Sequence, residues 1–250
     1  MERKLSGKTV LITGANGAIG RNLVHRFTQN GACVICCVRD TDKNFQNFSD
    51  SITLASDQYI RTLAFDLADS AQTKHEIYSI IKEKIALDIL VNNAAISYGS
   101  TIEMTSLDDL RSCFEINFFS QISLTTSLLR ILKKSKHGRI INVGSLIGLI
   151  GERGTLAYGA SKSALMFATK VMANEFAPYN ITVNAVAPGI AVGGMATKME
   201  LASRKNILDM SFLKQEIGLD DISNLILFLA SEEAGKITGQ VLRVDGGMQF

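Results

Sequence analysis

Tyr158 and Lys162 stand four residues apart in a helical pattern, so both project from one face of one helix. An ammonium beside a phenol favours the phenolate and draws its pKa down from about 10. A tyrosine so placed can give a proton to a carbonyl oxygen that receives a hydride, or take it back in the reverse direction. By itself the pair carries little, because tyrosine and lysine fall at this spacing by accident in many helices. Ser145 changes its weight. It follows the β-branched run Arg139–Val143, at the carboxyl edge where sheets of alternating strands and helices bind their ligands. A hydroxyl there can hold a substrate oxygen next to the tyrosine.

Phosphate chemistry is written nearer the start of the chain. The strand pattern Thr9–Ile12 runs into Thr13-Gly14-Ala15-Asn16-Gly17-Ala18-Ile19-Gly20 and then into an amphipathic helix. Gly14 permits a tight turn, Gly17 lets the backbone approach a pyrophosphate, and Gly20 lets the helix pack closely on the sheet. The free N–H groups and positive dipole end of the helix then face the phosphates. This says that a dinucleotide binds, not which one. The second strand ends Cys36-Cys37-Val38-Arg39-Asp40. Val38 stands where an acid would bond the ribose 2′-hydroxyl of NAD, and Arg39 can pair with a 2′-phosphate. NADP(H) is therefore favoured, with NAD(H) the alternative should Asp40 turn inward.

The elements that must position these residues alternate along the chain. Strand patterns fall at Thr9–Ile12, Cys33–Val38, Ile60–Phe65, Ile89–Val91, Arg139–Val143, Thr182–Val186 and Gln240–Val244. Several are apolar on both faces, as buried parallel strands are. Ile19, Leu23 and Phe27 give the first helix its stripe, and Ile77, Ile80 and Ile81 mark a second over Glu76 to Lys84. Ser106 followed by Asp109 opens a long helix to about Leu132; others cover Leu156 to Ala177, stopped by Pro178, and Asp220 to Ala230. This order implies an α/β fold with a single doubly wound, Rossmann-type parallel sheet of about seven strands and helices on both faces. No repeat and no linker divides the chain, so residues 1–250 read as one domain.

Composition narrows the partners. Hydrophobic residues make up 46% and charged residues 20%, and the net charge of +2 is spread over both signs, so neither nucleic acid nor a membrane surface is an expected partner. The cluster Lys133, Lys134, Lys136, His137 and Arg139 reads as a solvated helix terminus rather than a binding patch. Cys33 and Cys36 form a CxxC, but three residues apart on a strand they point to opposite faces, and no histidine cluster completes a metal site. Reduced, buried thiols fit a cytoplasmic protein. The first apolar run ends at Ile12, too short for a signal-peptide core, and no run approaches the length of a membrane span.

Taken together the landmarks resemble the classical short-chain dehydrogenase/reductase family, and most of all its 3-oxoacyl-acyl-carrier-protein reductases. They are the glycine turn, Asp66, Asn92-Asn93-Ala94, Asn117, Ser145 thirteen residues before Tyr158, Lys162, Pro188-Gly189, and Val244-Asp245-Gly246-Gly247. The resemblance implies that Ser145 orients the substrate carbonyl, Tyr158 donates the proton and Lys162 bonds the nicotinamide ribose. It implies that Asn117 holds a water linking Lys162 to solvent. Asp66 and Leu67 would border the adenine, Asn92, Asn93 and Ala94 the adenosine side, and Pro188-Gly189 the nicotinamide carboxamide. Gly14, Asn16, Gly17, Ile19 and Gly20 would line the pyrophosphate. The resemblance also implies a homotetramer, less often a dimer, built on the long helices and the C-terminal strand.

The chain departs from the family's TGxxxGxG at Ala18, from a usual glycine at Ala95, and at Gly193, where a threonine often meets the nicotinamide amide. Residues 190 to 213 read as a substrate lid, hinged at Gly193-Gly194, with Met195, Met199, Met210 and Phe212 facing an apolar pocket or packing the lid on the body. Glu152 and Arg153 read as surface charge. The leading function is NADPH-dependent reduction of a ketone, with a 3-oxoacyl thioester the favoured substrate class. The alternatives are an NAD-dependent sugar or alcohol dehydrogenase and a non-catalytic dinucleotide-binding protein. The last is expected to lack Ser, Tyr or Lys from the constellation, and all three are present.

Overall fold

The computed structural model describes residues 3–193 and 208–249. Seven parallel strands form one sheet in the order β3-β2-β1-β4-β5-β6-β7: β1 Thr9–Thr13, β2 Cys33–Val38, β3 Ile60–Ala64, β4 Ile89–Asn92, β5 Arg139–Val143, β6 Thr182–Pro188 and β7 Val241–Val244. Every residue of the five inner strands is buried, while the edge strands β3 and β7 are only partly covered. That is why the inner runs are apolar on both faces and the outer ones are not. The order reverses between β1 and β4, which opens a crevice at their carboxyl ends.

Alternation along each strand divides the core into two layers. Val10, Ile12, Val34 and Cys36 face Leu23, Val24 and Phe27 of α1 (Ala18–Gln29) and Ile222 and Ile226 of the last helix (Leu219–Ala230, here α7). Leu11, Ile35 and Cys37 face α3 (Ser70–Lys82), α5 (Ser120–Leu132) and α6 (Leu156–Phe176) on the other side. Two helices depart from expectation, one in where it starts and one in existing at all. Asp69 accepts from the Ala71 and Gln72 amides at 2.9 and 3.1 Å, so α3 begins well before the isoleucine stripe. A short α2 (Lys43–Asp50), not anticipated, is capped by Asp42 and anchored by buried Phe45.

The long helix opened by Ser106 exists but is not uniform. After α4 (Leu107–Phe114) the chain makes a π-helical turn over Glu115–Phe119 before α5. Such bulges recur at functional sites because one extra residue per turn re-aims a side chain. Here the residue at its centre is Asn117.

The basic cluster splits. Lys133, Lys134 and Lys136 are solvated, but His137 and Arg139 are buried and bond the end of α7, at Ala230 O (2.7 Å) and Ser231 O (3.4 Å). They complement the C-terminal end of a helix distant in sequence, which no local pattern announces.

Candidate active site

Because the strands are parallel, their carboxyl ends share one edge, and most predicted site residues leave from it. The Gly14–Gly20 turn follows β1, Arg39 follows β2, Asp66 and Leu67 follow β3, Asn93 and Ala94 follow β4, Ser145 follows β5, and Pro188-Gly189 closes β6. Asn117, Tyr158 and Lys162 reach the same edge from helices. A cavity of about 600 Å³ opens there, and Ile19, Asn93, Ser145, Tyr158, Lys162, Pro188 and Gly189 all line it.

Lys162 is 1% exposed, and its ammonium has one protein partner among the described residues, Val143 O at 2.6 Å. Burial pushes its pKa down to about 8. A buried ammonium with two hydrogens left over wants further acceptors, and the hydroxyls of a bound ribose fit that need. Its Nζ lies 5.9 Å from the Tyr158 ring centroid. Burial raises the Tyr158 pKa, the neighbouring Ser145 hydroxyl lowers it, and Cys113 raises it further. The downward pull expected from Lys162 is not among these influences, and desolvation of the phenol is the largest of them. Ser145, with its own hydroxyl accepting from the Ile147 amide at 3.2 Å, sits in a 3-10 turn entered from β5.

Asn117 is fully buried. Its Oδ1 accepts from the Ile96 amide at 2.8 Å, and its Nδ2 donates to Ile96 O at 2.9 Å and to Ser161 Oγ at 3.0 Å. Ser161 in turn donates to Tyr158 O at 2.8 Å. Both amide hydrogens of Asn117 are thus already taken, and the side chain ties the loop after β4 to the helix that carries Tyr158.

The glycine turn fits a dinucleotide phosphate. Gly14 has φ +62°, and a Cβ there would stand 2.8 Å from Ala94 Cα; one on Gly20 would stand 2.2 Å from Gly14 O. The Thr13 hydroxyl accepts from the Asn93 and Ala94 amides, both at 2.9 Å, and Asn93 Nδ2 donates to Thr13 O and Gly14 O at 2.9 and 3.1 Å. Gln121 holds Ala94 O at 3.0 Å. These bonds fix the turn before any ligand arrives. Arg21 grips Asn16 Oδ1 at 2.6 Å while lying over the Phe48 ring of α2 at 5.2 Å.

Some expectations change. Asn92 is 1% exposed, and its amide turns inward to Asn142 and Thr125 at 2.8 and 3.0 Å, so of that pair Asn93 borders the crevice. Phe212 is 71% exposed and lies against Gly247, outside the cavity. Met210 does line it, as does Met248, which sequence did not suggest. Gly194, Met195 and Met199 lie outside the described residues. Arg39 and Asp40 are both exposed, and among the described residues nothing ties Arg39 by hydrogen bond or ion pair. Asp66 closes its own turn on the Ala68 amide at 2.9 Å. Glu152 and Arg153 are exposed on the cavity rim. Gln121 and Ser161 were also missed. Their signal was present: Gln121 lies four residues beyond Asn117, and Ser161 sits between Tyr158 and Lys162.

Comparison with known proteins agrees over nearly the whole chain. The family model of short chain dehydrogenases matches residues 8–205. The 3-oxoacyl-acyl-carrier-protein reductase FabG of Escherichia coli is 34% identical over 242 residues, covering 97% of each chain. Its counterpart from Thermotoga maritima is 32% identical over 251 residues, covering 98% of this chain and 99% of the relative. A solved short-chain dehydrogenase/reductase from Serratia marcescens superposes with a TM-score of 0.89 at 29% identity, over 98% of both chains. Agreement of this extent, in sequence and backbone alike, means that the chain belongs to the short-chain dehydrogenase/reductase family, the NAD(P)-dependent oxidoreductases that interconvert CH–OH and C=O.

Proposed function

We propose that the protein reduces a ketone to a secondary alcohol with NADPH, and that its substrate is a 3-oxoacyl thioester. The convergence of Ser145, Tyr158 and Lys162 on one cavity beside the Gly14–Gly20 turn carries this reading. The names of the Escherichia coli and Thermotoga maritima relatives favour the substrate class. A bound nicotinamide dinucleotide supplies the hydride. The chain's own residues do the rest. The Ser145 hydroxyl holds the carbonyl oxygen, and Tyr158 gives it a proton as charge develops there. Lys162 offers its spare hydrogens to the nicotinamide ribose, and Asn117 with Ser161 holds the tyrosine helix in register. Gly14, Asn16, Gly17, Ile19 and Gly20 embrace the pyrophosphate, Asp66, Leu67, Asn93 and Ala94 border the adenosine, and Pro188-Gly189 meets the nicotinamide. Arg39, exposed and untied, is free to pair with a 2′-phosphate. We further propose a cytoplasmic homotetramer whose four free, buried thiols suit a reducing compartment.

The test is the rate of NADPH consumption, beside NADH, with an acetoacetyl thioester. Turnover is expected with NADPH at least tenfold faster than with NADH. Tyr158→Phe is expected to lose turnover by about a hundredfold or more while cofactor affinity stays within a few-fold. Full activity in Tyr158→Phe overturns the mechanism, and equal use of both cofactors overturns the role of Arg39.

A further inference from the structure

Met248 enters the cavity from the far edge of the sheet. It follows β7, which lies three strands beyond β4, whereas the glycine turn leaves β1 on the other side of β4. A side chain arriving from there enters the cavity from the side opposite the glycine turn. It does not arrive loosely. Ser211 bridges Met248 in antiparallel fashion, Phe212 and Leu213 donate to Gly247 O and Gly246 O at 3.3 and 3.0 Å, and Gln249 donates to Met210 O at 3.1 Å. Arg243 Nε bonds Asp245 Oδ2 at 2.6 Å and its Nη2 donates to Met248 O, while Asp245 Oδ1 accepts from the Gly247 amide at 3.0 Å. Gly246 and Gly247 take φ of +68° and +79°, and a Cβ on Gly247 would stand 2.5 Å from the Phe212 ring. This clamp leaves the Met248 backbone little freedom, and the residue is 6% exposed.

Ile190, Ala191, Met210 and Met248 are apolar members of the cavity wall, and the backbone bond from Gln249 to Met210 holds the two methionine segments together there. Methionine is soft and unbranched, so it shapes such a wall without a rigid stop. We infer that Met248 determines substrate size: it sets how long or bulky an apolar group may extend from the ketone held by Ser145 and Tyr158. This rests on the reductase reading of the site.

The experiment uses the whole protein with NADPH and a series of 3-oxoacyl thioesters from four to twelve carbons. Met248→Ala is expected to raise kcat/KM for the eight-carbon substrate, relative to the four-carbon one, by about tenfold; Met248→Phe is expected to lower the same ratio about tenfold. The dissociation constant for NADPH, read by fluorescence, should stay within twofold in both, which shows that each variant folds and that the change lies in the substrate end. A wild-type chain-length profile left unmoved by both substitutions overturns this inference and leaves the reductase reading standing. Absence of turnover by the wild-type protein on every member of the series overturns the reading and the inference together.

Discussion

At the scale of the residue, Lys162 shows a site built against stability. Among the described residues its ammonium has one carbonyl partner, and burial holds its pKa near 8 rather than the usual 10.5. The folded state therefore binds the proton less well than the unfolded chain. Below about pH 8 both states are charged and the full penalty is present, of order 3 kcal/mol for such a shift. Between about 8 and 10.5 the unfolded chain holds more protons, so stability rises with pH, and above that range the penalty is gone. Lys162→Met should accordingly raise the denaturation midpoint of the cofactor-free protein at pH 7, by an advantage that fades as pH approaches 10.5. It should also abolish turnover. Urea titrations of both proteins from pH 7 to 10.5 decide the matter; a destabilised Lys162→Met at pH 7 would mean that the buried charge is better satisfied than its single hydrogen bond indicates.

At the scale of the element, the glycines of the first turn divide their labour. A Cβ on Gly20 would overlap Gly14 O, and since that atom is backbone, α1 would have to move off β1. A Cβ on Gly17 meets only Gly14 O, at 3.4 Å, and is otherwise open. Gly20→Ala is expected to cost more than about 2 kcal/mol and weaken dinucleotide binding, while Gly17→Ala stays within about 1 kcal/mol of wild type, the ordinary cost of alanine at a helix N-cap. Thermal unfolding with and without NADPH separates the two, and equal losses would contradict the packing role of Gly20. Much at this scale was legible. Cys33–Val38 matches its strand end to end because a strand buried on both faces is apolar throughout, and Arg139–Val143 does so through its β-branched Ile140, Ile141 and Val143. Helix α2 was not, since its eight residues are mostly polar and its signals are one aspartate cap and the pair Phe45 and Phe48. Nor was the π-helical turn, whose hydrophobic period differs too little from the α-helical one to read over five residues. The serine, tyrosine and lysine could be found by spacing. Met248 could not, because it depends on pairing between segments far apart in the chain.

At the scale of the molecule, α6 is apolar on two sides. Leu165, Met166, Met172 and Phe176 face the sheet, while Leu156, Ala160, Ser163, Phe167 and Val171 form a second stripe outward, with Phe167 68% exposed. A helix apolar on opposite faces is normally covered on both, and such patches mark contacts between proteins. The π-helical turn beside it adds Phe119, 53% exposed. A second candidate surface is β7, an edge strand of the sheet like β3 and only partly covered, and soluble proteins seldom leave such edges uncovered. Two separate faces, each meeting its own copy across a two-fold axis, close into a tetramer rather than a filament. Sedimentation at micromolar concentration is therefore expected to give a mass four times the 27.1 kDa of the chain. Phe167→Glu places a charge in the α6 face and leaves β7 untouched, so it should yield dimers, not monomers. A monomeric wild-type protein would refute the assembly outright, and an intact Phe167→Glu tetramer would move the contact off α6.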